Sequence, residues 1–176
     1  MQIIRYADDL VVLTKRAPEQ FMKILRDKLG ELELNMKETK TRILRADEDD
    51  FDFRGFNVRM IWNKQKTKKF PYILPSKWAV QSVKSRIKEI TKPTSTKATD
   101  IVKEINPELN GWMNYFRHEN AATVFENVHR YAMDSIRKFI RRNQKKCGYG
   151  RNIITDKIVT EFFGLVKPLK IEYLRG

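Results

Sequence analysis

The dipeptide Pro75-Ser76 separates two halves of the chain whose apolar residues repeat with different periods, and this switch limits the fold more than any other feature. Ahead of it, short β-prone runs alternate with turn residues. Ile3-Ile4 and Leu10-Val11-Val12-Leu13 predict a hairpin over residues 2–14, and strands are expected over 41–44, 53–61 and 70–74. Between them, Pro18 opens a helix to about residue 33. Its Phe21, Ile24, Leu25, Leu29 and Leu32 recur at helical spacing and are expected to cover the sheet. Behind Pro75 the repeats are helical. Ser76 is the expected N-cap of a helix over 77–91 with Val80, Val83, Ile87 and Ile90 on one face. A breaker-rich linker (92–97) and a short helix (99–105) follow. Asn106 and Pro107 then form an N-cap/N1 pair opening another helix. Val124, Val128, Tyr131, Ala132, Ser135, Ile136 and Phe139 predict the inner face of a long helix over 122–145, terminated by Cys147-Gly148-Tyr149-Gly150. Thr155-Asp156 opens a last helix to about residue 163. The expected class is α+β: an antiparallel sheet with a covering helix in residues 1–75, and a helical bundle in 76–176.

Charge narrows the partners. The 176 residues carry 36 Lys/Arg against 22 Asp/Glu, a net charge of +14. Residues 1–75 hold 16 against 12, while 76–176 hold 20 against 10, so the excess sits in the helical half. A polyanion is the natural partner of such a surface. A membrane is disfavoured, because the basic residues are scattered among aromatics rather than set on one amphipathic stripe, and no run reaches spanning length. The N-terminal residues lack the pattern of a signal peptide, and the single Cys147 precludes an internal disulfide, so a reducing cytoplasm is expected.

Several clusters bear on chemistry. Asp8 and Asp9 fall at the expected hairpin tip, where two like charges call for a cation. Mg²⁺ takes oxygen ligands, and paired Mg²⁺ ions clamp the attacking and leaving oxygens in phosphoryl transfer. Asp47-Glu48-Asp49-Asp50 reads as a solvated turn. Lys64, Lys66, Lys68 and Lys69 form a flexible basic loop suited to phosphates. Arg137, Lys138, Arg141, Arg142, Lys145 and Lys146 crowd the end of the long helix. The helix dipole accounts for one or two of them, and the cluster is expected to bind an RNA backbone, extended by Arg151 and Lys157. Trp112, Tyr115 and Phe116 have the spacing of core residues, with base stacking as the alternative. Gly111 is expected to permit close helix packing, and Asn110 and Asn114 to lie within reach of RNA. His118 and His129 have no second metal ligand at useful spacing and read as structural.

Four motifs, in order, resemble those of group II intron-encoded reverse transcriptases and maturases. Tyr6-Ala7-Asp8-Asp9 looks like the motif bearing two of the three catalytic aspartates. Leu34-Asn35 with Lys40-Thr41-Arg42-Ile43 looks like the next palm motif, and Phe51-Asp52-Phe53-Arg54-Gly55-Phe56 like the primer grip. The run from Asn106 through Pro107, Gly111, Trp112 and Asn114 to Phe116 is similar to the signature of the maturase-specific domain. The resemblance implies a partial palm in 1–75 followed by a thumb/maturase-specific domain in 76–176. It implies Asp8 and Asp9 as ligands of catalytic Mg²⁺, with Tyr6 and Ala7 beside the nucleotide and primer end. Lys40 would lie near the incoming triphosphate, and Arg54 and Gly55 where the backbone approaches the primer.

The sequence departs from the family in starting just before the Asp pair, so the fingers, the first half of the palm and the third aspartate are expected to be missing. Mg²⁺ binding is then expected to be weak, and polymerase activity to need a complementing chain. An exposed palm edge would also invite a homodimer. The leading expectation is a fragment that binds group II intron RNA and assists splicing, with RNA-directed DNA polymerase parentage and possible contact with RNA/DNA hybrid. The alternatives are a polymerase complemented in trans, an inert remnant of a mobile element, and a basic scaffold.

Overall fold

The computed structural model describes residues 1–15, 17–117 and 120–171. It is a mixed architecture of antiparallel sheets and helices, consistent with an α+β fold, in two compact units, Met1–Arg45 and Ala46–Gly176. The change of pattern at residue 75 falls inside the second unit.

In the first unit β1 (Gln2–Tyr6) and β2 (Asp9–Leu13) pair as the expected hairpin, with Tyr6 opposite Asp9 and Gln2 opposite Leu13. Ala7 and Asp8 form its two-residue loop, with Ala7 at φ 50°. Pro18 takes the first position of α1 (Pro18–Glu31), as its fixed φ favours. The expectation that α1 covers the sheet is not met by burial. Phe21, Leu25 and Leu29 are half-buried, Ile24 and Leu32 are exposed, and no described residue of this unit is buried. Residues 41–44 form no strand. Thr41 gives both its N–H and its Oγ1 hydrogen to the Lys37 carbonyl, closing a turn, and the sheet here has only β1 and β2. A β-prone run without a ladder partner leaves its backbone groups unpaired and gains nothing from extension.

In the second unit β3 (Phe51–Phe53), β4 (Phe56–Trp62) and β5 (Lys69–Pro75) form an antiparallel meander. The single strand expected over 53–61 is broken by a two-residue turn at Arg54-Gly55, with φ of 51° and 80°. Positive φ at both central positions is the condition for the tight hairpin turn whose twist matches its strands. Gly55 is needed for that conformation. A Cβ there would lie 3.5 Å from the Phe116 ring, an ordinary contact.

This sheet is held to the helices of the same unit. Phe56 stacks on Tyr115 with centroids 5.3 Å apart and meets Phe116 edge-on at 4.8 Å. The Tyr115 hydroxyl donates to the Arg54 carbonyl at 3.1 Å, Ser76 N–H to the Gly55 carbonyl at 2.7 Å, and Asn120 N–H to the Ile73 carbonyl at 3.1 Å.

Ser76 caps α2 (Lys77–Ile90) as expected, its Oγ accepting from Ala79 N–H at 3.1 Å. Ala79, Val83, Ile87 and Ile90 are buried, with Val80 at the margin. Where two helices were expected around Asn106-Pro107, one 19-residue helix, α3 (Ala98–Phe116), runs straight through. An interior proline costs about 3 kcal/mol. Ile101, Val102, Ile105, Leu109, Met113 and Phe116 bury one unbroken face across it, at about 1.5–3 kcal/mol each, so burial outweighs the break. Asn106 caps nothing. Its amide donates to the Gly164 carbonyl at 2.9 Å, and its oxygen accepts from Val166 N–H at 3.0 Å, fastening the C-terminal segment. Gly111 is exposed and a Cβ there would meet nothing within 4 Å, so it serves no close packing.

In α4 (Ala122–Asn143) the buried face comprises Phe125, Val128, His129, Ala132, Met133, Ile136, Arg137 and Phe139. Ile154, Val159 and Leu165 from the segment beyond complete the core. The last expected helix is a short turn whose Ile158–Phe162 portion is π-helical. α4 ends before the glycines expected to stop it. Lys145 N–H bonds to the Arg142 carbonyl and Lys146 N–H to the Arg141 carbonyl, a Schellman pattern with Lys145 in the left-handed position at φ 54°. That conformation is unfavourable for any L-residue with a Cβ. Lys145→Gly is therefore expected to raise stability by about 0.5–1 kcal/mol in chemical denaturation.

Candidate nucleic-acid interface

The basic cluster at the end of α4 divides into arginines that bind the protein's own backbone and lysines that do not. Arg137, expected to contact RNA, is only 2% exposed. Its Nε donates to the Ile154 carbonyl at 2.7 Å and its Nη1 to Asp134 at 3.0 Å, while its Nη2 pairs with Asp156. Asp134 is shared with Arg151, which donates to it at 2.6 and 3.2 Å. Burial alone would raise the Asp134 carboxyl, but the hydrogen bonds from Arg151 and Arg137 outweigh it and hold the group below its usual range. Arg137 is thus a structural cation and no part of an RNA surface. A buried charge is tolerated because every partner is supplied.

Arg141 directs Nε and Nη2 to the Cys147 carbonyl, at 3.0 and 2.7 Å, bracing the loop after α4. Gly150, at φ 60°, lies against it, since a Cβ there would fall 2.5 Å from Arg141 Cδ. Arg142 reaches the end of α2, its Nη2 donating to the carbonyls of Thr91 at 2.6 Å, Lys92 at 3.1 Å and Pro93 at 3.3 Å. The fork of N–H donors on a guanidinium is used at Arg141, where two nitrogens converge on one carbonyl, whereas at Arg142 a single Nη2 bridges the three. Lys138 lies over the Tyr149 ring at 4.4 Å, with Arg151 5.2 Å from the same centroid. A hydrogen bond to Tyr149 raises the Lys138 pKa. Lys138, Lys145 and Lys146 remain exposed.

The second basic element is the β4–β5 hairpin. Its loop, expected to be flexible, is ordered by Asn63. The Asn63 Oδ1 accepts from the N–H of Thr67 and Lys68 at 2.8 and 3.3 Å, and its amide donates to Thr67 Oγ1 at 2.7 Å. Asn63 N–H also donates to the Lys68 carbonyl at 2.9 Å. Lys64, Lys66 and Lys68 on this frame are exposed. Lys69 is held differently, its Nζ donating to the Asp47 carbonyl at 2.6 Å and lying 5.2 Å from the Trp62 centroid.

In the first unit Tyr6 is 53% exposed, Ala7 and Asp8 make the turn, and Asp9 begins β2. Lys40 lies in a turn rather than a strand. Among the described residues no group of three or more His, Cys, Asp or Glu is arranged to hold a metal ion. Asp8 and Asp9 bring two carboxylates to the hairpin tip, where the resemblance implies a set of three. Arg54 and Gly55 form the turn of the second unit described above.

Of the helical aromatics, Phe116 is buried and Trp112 packs against Phe116 and Phe125, which makes both core rather than stacking platforms, while Tyr115 is 48% exposed. Sequence reasoning missed an open groove of about 650 Å³ between α2 and α3, lined by Ser82, Arg86, Glu108, Gly111, Trp112 and Tyr115. The bare Gly111 was its only sequence signal. His118 lies outside the described residues. His129 is structural as expected, buried, with Nε2 lacking a partner among the described residues. No helix among the described residues is long and apolar enough to cross a membrane.

Residues 80–156, spanning most of α2, all of α3 and α4 and the braced loop after them, match the family described as the group II intron maturase-specific domain. The segment is similar to the group II intron maturase-specific domain, which supports the resemblance read from the sequence to group II intron maturases. No curated protein matches the chain.

Two tests follow from the buried polar groups. Arg137→Ala is expected to cost about 2–4 kcal/mol in equilibrium unfolding, since it orphans the Ile154 carbonyl and leaves Asp134 and Asp156 short of a partner. For His129, burial lowers the pKa below 6.5, against opposing contributions from a backbone hydrogen bond to Val166 and the charge of Asp156. Because the folded state favours the neutral ring, its stability is full above the unfolded pKa near 6.5 and falls as pH drops below it. Unfolding midpoints measured between pH 7.5 and 5.5 are expected to decline in the native chain and to flatten in His129→Gln.

Proposed function

We propose that this chain binds group II intron RNA and assists its splicing, and that it derives from an RNA-directed DNA polymerase of the reverse-transcriptase type. The match of residues 80–156 to the maturase-specific domain carries this reading. The net charge of residues 76–176, 20 basic against 10 acidic, supports a polyanionic partner independently. Arg137, Arg141 and Arg142 hold the domain together, so the RNA-facing charge falls to Lys138, Lys145 and Lys146 and to the lysines of the β4–β5 hairpin.

The polymerase parentage rests on the Asp8-Asp9 hairpin with Tyr6 and Ala7, and on Arg54-Gly55 as a primer-side turn. In this reading residues 1–75 derive from a palm and 76–176 from a thumb, with RNA/DNA hybrid as a second nucleic-acid ligand. Catalysis would require a third carboxylate and Mg²⁺, which could be provided by a partner chain.

The deciding measurement is a salt series of binding to a structured group II intron domain and to an unrelated structured RNA of equal length. Tighter binding to the intron RNA that persists at high salt is expected. Equal affinities that collapse together would reduce the protein to a nonspecific polycation. Replacing Lys138, Lys145 and Lys146 with Ala is expected to shallow the log-affinity against log-salt slope by about two to three contacts.

A further inference from the structure

We propose that the tip of the β4–β5 hairpin is a binding site for single-stranded RNA, where an unpaired base stacks on Trp62 and the adjoining phosphates lie along Lys64, Lys66 and Lys68. This deepens the RNA-binding reading and rests on it.

The tip combines features that a solvated loop does not need together. Trp62 ends β4 with 54% of its surface exposed, leaving a large apolar ring in water. Its cross-strand partner Lys69 sets an ammonium 5.2 Å from the ring centroid, and its backbone-anchored Nζ fixes that cation in place. The three following lysines stand on a loop already ordered by Asn63, so capturing a ligand requires little further loop ordering. Lys66 holds a left-handed φ of 55°, a position glycine would fill at lower conformational cost.

Charge identifies the occupant. From Phe53 to Lys88 the chain has no Asp or Glu in 36 residues and has ten Lys or Arg. Asp50 and Asp52 are engaged by Asn57 at the other end of the sheet, at 2.9 and 2.8 Å, while the acidic turn meets the tip through the Asp47 carbonyl that holds Lys69. A cationic edge bearing an exposed indole fits a polyanion with accessible aromatic faces. In A-form duplex those faces are stacked away, whereas a single strand presents them.

The test uses the full chain with three labelled RNAs: a uridine-rich 12-mer single strand, a 12-base-pair duplex and a structured intron domain. Trp62→Ala is expected to weaken the single strand on the order of tenfold, to leave the duplex nearly unchanged and to keep the native salt slope. Trp62→Tyr is expected to recover most of the loss. Replacing Lys64, Lys66 and Lys68 together with Ala is expected to weaken both short RNAs and to shallow the salt slope. Lys66→Gly keeps the turn geometry while removing its charge, so a loss of affinity without a loss of thermal stability supports phosphate contact. The proposal is overturned if Trp62→Ala leaves single-strand affinity unchanged while the intron domain still binds. It is equally overturned if that variant abolishes self-association in sedimentation without altering RNA affinity, which would make the tip a contact between copies. If no RNA binds the native chain, the function proposed above fails with it.

Discussion

The second unit is organised by the burial of one unbroken apolar face on α3. That face meets α2 and α4, and its end at Tyr115 and Phe116 receives Phe56 from the sheet. The requirement is strict enough to carry a helix through Pro107, whose missing N–H and bulky ring would end most exposed helices. Continuity has a second effect. Asn106, freed from capping, lies on the side of α3 where it can hold Gly164 and Val166, which keeps Leu165 in the core. One residue preceding a proline thus links the middle of the domain to its C-terminal segment.

A division of labour between the two basic residue types follows from their shapes. Arg137, Arg141 and Arg142 each send planar N–H groups to main-chain carbonyls, joining α4 to Ile154, to the loop at Cys147 and to the end of α2. The exposed cations at the end of α4 and at the hairpin tip are mainly lysines, whose compact ammonium stays hydrated and suits phosphate as a point charge. A basic cluster in a sequence is consequently a mixture, and its arginines are as apt to serve the fold as a ligand.

Local chemistry was legible wherever one residue decides the outcome. Ser76 as a cap, Pro18 at a helix start and the hairpin around Ala7-Asp8 were all readable, as was the family signature around Trp112. What could not be read depended on partners distant in sequence. The strand at 41–44 had the right propensity and no ladder to join. Pro107 was a sound helix start until six buried residues overrode it. Arg137 differed from its neighbours only through Ile154, Asp134 and Asp156, which lie up to nineteen positions away. The Arg54-Gly55 turn was open to reading from its glycine, as a bulge or tight hairpin, but the run of strand formers around it left a single strand as the expectation.

Six residues other than glycine adopt positive φ among the described residues, and three of them, Arg54, Lys66 and Lys145, are basic and close a turn or a helix. At each the backbone would be better served by a residue without a Cβ, so a cation stands where it strains the chain. Selection or engineering for thermal robustness alone would drift toward glycine at these turns and strip charge from the protein's surface. Under the proposed function, stability and polyanion affinity pull in opposite directions at the same positions, and a more rugged version of this domain would be a poorer binder.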